Sequence, residues 1–114
     1  MKMNKINKKQ LDEYLGIFGK RKMQSLLRDY LLDSTKSWEM LDKSSLSEKR
    51  HIFHCWRSNS LVFGMEDFSQ LCTKIEDDLI NNRINKASEL IPLSKECYQE
   101  SILKVISVLQ DDKK

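Results

Sequence analysis

Glycine and proline are nearly absent from this chain, with 3 glycines and 1 proline among 114 residues. A sheet of several strands needs tight turns, and tight turns draw on those two residues. Their scarcity favours long helices, and apolar residues recur at the spacings of three and four that one helical face requires. The first such pattern covers about residues 10–18, with Leu11, Tyr14, Leu15 and Phe18 on one side and Gly19 as its stop. A longer helix follows over about 20–43, with Met23, Leu26, Leu27, Tyr30, Leu31, Trp38 and Leu41 as its stripe. Ser34 and Ser37 interrupt that stripe without breaking its period. Ser45 with Glu48 three residues on resembles a capping box, and opens a third helix running to about Phe63. Its core-facing row is expected to be Leu46, Phe53, Trp56, Ser60 and Phe63. Beyond Gly64 a fourth helix shows Met65, Phe68, Leu71, Cys72, Ile75 and Leu79, and Asn81-Asn82 supplies a stop. The last begins near Ile84 and carries Ala87, Leu90, Ile91, Tyr98, Ile102, Val105 and Leu109. Pro92 lies inside that pattern, where a kink or a break is expected.

The fold class implied is all-α: an up-down antiparallel four-helix bundle over about 20–110, with the short helix of about 10–18 laid across it. Connections of a few residues force neighbouring helices to be antiparallel. A chain of this length is expected to form one domain, 1–114. Apolar residues at 39% and charged residues at 32% suit a soluble globular protein. The formal charge of +3 is too slight to imply nucleic acid, and no basic stripe is interleaved with aromatics. Much of the basic excess sits in Lys2, Lys5, Lys8, Lys9, Lys113 and Lys114, which read as solvated tails. No apolar run reaches the length of a membrane span, and the basic start is not followed by an apolar signal core. Three cysteines, Cys55, Cys72 and Cys97, are odd in number and scattered, as free thiols in a reducing compartment would be. A cytoplasmic location without membrane contact is expected, and with no large exposed apolar face to demand a dimer, a monomer.

One histidine stands apart. On a wheel of about 100° per residue, His54 lies roughly 130° from the centre of the row through Phe53, Trp56, Ser60 and Phe63. It should therefore be largely exposed. Ser47, His51, Ser58 and Leu61 share its face, and Ser58 leaves room for a partner surface to approach the ring. Arg57 lies one turn on, where its charge could meet a phosphoryl oxygen while its stem covers apolar surface. His54 falls ten residues before Gly64 and Glu76 twelve after it, so a hairpin turning at that glycine brings the two to nearly one level. A carboxylate accepting a hydrogen bond from one ring nitrogen fixes the tautomer and leaves the other as nucleophile. A metal site is disfavoured: Cys55 points about 100° away from His54, and no CxxC or HExxH pattern exists. No glycine-rich phosphate loop is present either, which argues against autonomous ATP use.

The run His54, Trp56, Arg57, Ser58 and Gly64 resembles the signature of histidine-containing phosphotransfer (HPt) domains of two-component phosphorelays. That family has a histidine, then an apolar residue two positions on, a Lys or Arg, a small residue, and a glycine ten positions after the histidine. Its continuation is matched by Phe68, Cys72 and the pair Ile75-Glu76. The likeness spans roughly Arg50 to Asp77 and departs in two ways. Ser58 replaces the usual glycine, and Phe53 and Trp56 are bulkier than the usual alanine and leucine, so the local packing must differ. With little beyond the bundle, the chain is similar to the free-standing members. The resemblance implies a phosphocarrier rather than an enzyme. His54 would accept a phosphoryl group from the receiver domain of a sensor hybrid kinase and pass it to the receiver of a response regulator. It implies no cofactor on this chain, Mg²⁺ being held by the receivers, and a receiver contact on the second and third helices beside His54. A helical adaptor that kept the fold and lost the chemistry is the alternative.

Overall fold

The computed structural model describes residues 4–110, so the tail lysines Lys2, Lys113 and Lys114 lie outside the described residues. The chain is all-helical, with no strand among the described residues. Its elements are α1 (Lys8–Phe18), α2 (Lys20–Met40), a 3₁₀ turn (Leu41–Lys43), α3 (Leu46–Leu61), α4 (Glu66–Ile80) and α5 (Ile84–Gln110). α3 packs along α4, α4 along α5, α5 also against α2, and α1 on α2. No helix among the described residues is long and apolar enough to cross a membrane.

Local chemistry explains the helix starts. The side chain of Asn7 accepts from the backbone N–H of Gln10 and starts α1 two residues earlier than its apolar pattern does. Ser45 and Glu48 close a reciprocal capping box at the head of α3, each side chain bonding the other's backbone N–H. Leu46, expected in the core row, is exposed. It is the first residue of α3, and the chain there has not yet met α4. α3 stops at Leu61, so Phe63 reaches the core from the turn that follows and not from the helix.

α5 runs through Pro92 without interruption, and the expected break does not occur. Pro92 lies on the exposed side of α5. The carbonyl it leaves without a donor belongs to Ser88, also exposed, where solvent can reach it and the cost to the helix falls.

The core gathers one aromatic cluster from four helices. Trp38 of α2 lies 4.3 Å, centroid to centroid, from Trp56 of α3. Trp56 in turn meets Phe53 edge-on at 5.3 Å and Phe68 of α4 at 5.7 Å. Tyr98 of α5 closes the group against Phe68 at 5.4 Å and Trp38 at 5.7 Å. The bulk of Trp56 and Phe53 thus fills the centre of the molecule directly under α3. The serines that interrupt the apolar stripes are buried joints. Ser34 donates to the Tyr30 carbonyl at 2.6 Å, so its single proton is taken and the hydroxyl of Tyr98 donates to it, also at 2.6 Å. One turn earlier, Tyr30 and Ser60 share a hydrogen bond of 2.7 Å. These pairs set the register of α2 against α5 and against α3, since a shift along either helix would bury unpaired hydroxyls.

The α3–α4 turn is held from outside by the segment before α1. Asn7 donates its backbone N–H to the Gly64 carbonyl. Lys5 donates to the Asp67 carboxylate at 2.9 Å and accepts from the Asp67 N–H at 3.3 Å. Gly64 has φ +69°, and a Cβ there would collide with the Asn7 carbonyl. The left-handed backbone favours glycine, and the collision requires it. At the other end of α4, Arg83 donates to Asp78 at 2.8 Å and Asn82 turns the chain with φ 61°. That hydrogen bond from Arg83 holds the fully shielded Asp78 carboxyl below the usual carboxylate range, against the opposing effect of burial.

Candidate functional site

α3 turns Phe53, Trp56 and Ser60 inward, which leaves His54 on the outer side with about half of its side chain exposed. α4 brings the second member. Ser69, Cys72 and Glu76 follow one another at spacings of three and four, on the side of α4 that meets α3. Ser69 donates to the Arg57 carbonyl at 2.8 Å, and the small Cys72 is fully buried. Two turns after Ser69, Glu76 reaches His54, with Oε2 3.0 Å from the ring Nδ1. Its side chain is only 13% exposed, so this carboxylate is held and oriented, unlike a freely solvated one.

Arg57, one turn beyond His54, completes a triangle. One guanidinium nitrogen lies 3.1 Å from Nδ1 and the other 3.5 Å from Glu76 Oε1. Apart from that ion pair, Glu76 Oε1 is shielded from water and has no hydrogen bond among the described residues. None of the described residues hydrogen-bonds Nε2, the ring atom on the side away from these contacts. The arrangement pairs a solvent-facing ring nitrogen with an acceptor behind it and a cation beside it.

The residues expected to dock a partner divide into two groups. Ser47 and His51 line an open groove of about 540 Å³ between the end of α2 and the start of α3, together with Ser37, Met40 and Ile52. Ser58 and Leu61 are exposed on α3 but lie outside it. A second groove of about 430 Å³, further along the same seam, was not legible from single helices. Its floor is Leu26, Tyr30, Val62 and Phe63, with Asp29 and Asp33 at the rim. The two helices were expected to be neighbours, but a wheel drawn for one helix does not show which side chains leave a groove between them.

The thiols take no part in the triangle. Cys72 and Cys97 are buried, and burial pushes both up, Cys97 to about 11, so they stay protonated. Cys55, half-buried, lies 3.5 Å from His51 Nε2. Among the described residues no three His, Cys, Asp or Glu side chains gather as a metal-ligand group. The chain matches no protein-family model, no curated protein and no solved structure.

Proposed function

We propose that this chain is a phosphorelay intermediate of the histidine-phosphotransfer type, with His54 as the phosphoryl acceptor. The observation that carries the proposal is the 3.0 Å contact between Glu76 and Nδ1 of an exposed histidine. In this reading α2 to α5 form an up-down four-helix bundle with α1 against it, and α3 presents the ring to its partners in the cytoplasm.

The chemistry needs little from this chain. With its proton on Nδ1 and donated to Glu76, the ring offers the Nε2 lone pair to the phosphorus of an aspartyl phosphate on the receiver of a hybrid kinase. The N–P bond forms as the P–O bond to aspartate breaks, and that electron pair leaves on the carboxylate. The ring becomes cationic as the bond forms, and the Glu76 carboxylate stabilises it, as an acid–imidazole pair does elsewhere. Arg57 reaches the transferred oxygens. The reverse steps load the aspartate of a response regulator. The Mg²⁺ belongs to the receivers, and no ATP-dependent kinase activity of this chain is involved.

Partners would dock along α3 and the α2–α3 seam, where Ser47, His51, Ser58 and Leu61 lie exposed and the two grooves open. Incubation with phosphorylated receiver domains tests the proposal. Wild type should take acid-labile, alkali-stable label and His54→Gln none. Label persisting on His54→Gln, or none on wild type with several receivers, would defeat it, and binding without label would mark an adaptor. Ser58→Glu should slow transfer by crowding and by repelling the acidic site of a receiver.

A further inference from the structure

We propose that Arg57 is a positioning residue that holds His54 in its unreactive tautomer until an incoming phosphoryl oxygen draws the guanidinium away. The inference rests on the phosphoryl-acceptor reading above and adds a control to it.

Two contacts meet at one atom. Arg57 lies 3.1 Å from Nδ1 and Glu76 Oε2 3.0 Å from the same Nδ1. A guanidinium never gives up its protons and has no acceptor, so its contact requires a lone pair on Nδ1. A carboxylate has only acceptors, so its contact requires a proton there. A neutral imidazole carries one N–H, and the two hydrogen bonds therefore exclude each other. With Arg57 donating, the proton sits on Nε2 and the solvent-facing nitrogen has no lone pair for phosphorus. With Glu76 accepting, the proton sits on Nδ1 and Nε2 is the nucleophile.

Arg57 is anchored in the first state by its second contact, 3.5 Å to Glu76 Oε1. It is also about one-third exposed and able to leave. A phosphoryl group offers charged oxygens in the fork geometry that guanidinium prefers, against a neutral ring nitrogen in the resting state. As the guanidinium swings over, Nδ1 takes a proton from water and donates it to Glu76, while Nε2 releases one to water. Net charge is unchanged. The nucleophile is thus uncovered only when its substrate is in place.

The tautomer is directly measurable. Long-range ¹H–¹⁵N correlation on the full chain, at about pH 8.5 where imidazole is neutral, separates the two forms, and the only other histidine, His51, is assigned with His51→Gln. We expect His54 to carry its proton on Nε2 in wild type and in Arg57→Lys. In Arg57→Ala the ratio of Nε2–H to Nδ1–H should fall by about tenfold, the weight of one ordinary hydrogen bond. Adding Glu76→Ala to Arg57→Ala, which removes the acceptor at Nδ1 as well, should abolish that fall. A ratio in folded Arg57→Ala within about twofold of wild type overturns the inference, and so does a majority of Nδ1–H in wild type, which needs no variant. No phosphoryl donor enters the measurement. A chain that shows the shift yet accepts label from no receiver would defeat the relay and leave the hold of Arg57 standing.

Discussion

Removing the carboxylate behind the ring is the sharpest change at the scale of a single residue. In the proposed relay, Glu76→Gln keeps the shape but would stabilise the ring charge formed during transfer far less, and the rate of His54 phosphorylation should fall on the order of 10²-fold. Single-turnover transfer from a phosphorylated receiver reads this. A fall of less than about threefold would mean that the charge of Glu76 contributes little to transfer. Beneath the ring, Phe53 is fully buried against Trp56, so Phe53→Ala should cost about 3–5 kcal/mol in denaturant unfolding. Residue identities already placed Glu76 level with His54, because both positions count from Gly64 along rigid helices. They did not reveal that Arg57 and Glu76 meet at the same nitrogen. Periodicity gives the face on which a long side chain starts, and three or four rotatable bonds then decide where its charge ends.

Single elements show where periodicity succeeds and where it stops. The five helices were legible because each has an apolar face of period 3.6 and an end marked by Asn, Ser or Gly. The strap formed by residues 4–7 was not, since its contacts to Gly64 and Asp67 are made by backbone atoms, which carry no signature in residue type. It also gives Gly64 a second role beyond turning the chain. Gly64→Ala should cost at least about 1–2 kcal/mol for the left-handed backbone alone, plus the collision with the Asn7 carbonyl. Repeating the substitution in a chain lacking residues 1–7 should remove the second part, and equal costs in both backgrounds would deny the strap any influence. The α4–α5 corner makes a prediction in pH. Asp78 is held low by its hydrogen bond from Arg83, so its contribution is present above the ordinary carboxylate range and is lost as pH falls through its own lower value. Wild type should therefore lose more thermal stability than Asp78→Asn between about pH 6 and pH 3. Parallel curves would show that the corner does not depend on this charge.

Across the whole molecule, the features fit a division of labour. An aromatic centre drawn from α2, α3, α4 and α5 fixes α3 in place, the Tyr30–Ser60 pair fixes its register against α2 and the Ser34–Tyr98 pair that of α2 against α5, and the Gly64 hairpin carries Glu76 to the level of His54. The core lies inside, and the His54 ring is left exposed beside the α2–α3 seam along which the proposed partners would dock. The grooves along that seam were the least legible part, since they depend on how the side chains of two helices fit together and not on the pattern of either helix alone. The claim that this scaffold exists to present one nitrogen can be put to a single measurement. After incubation with a phosphorylated receiver domain, fragmentation mass spectrometry under conditions that preserve N–P bonds locates the added phosphoryl group along the chain. The account predicts one group, on His54 and on no other residue. A group on His51 or on a hydroxyl or carboxylate, or a chain that remains unmodified while the receiver stays loaded, would contradict it.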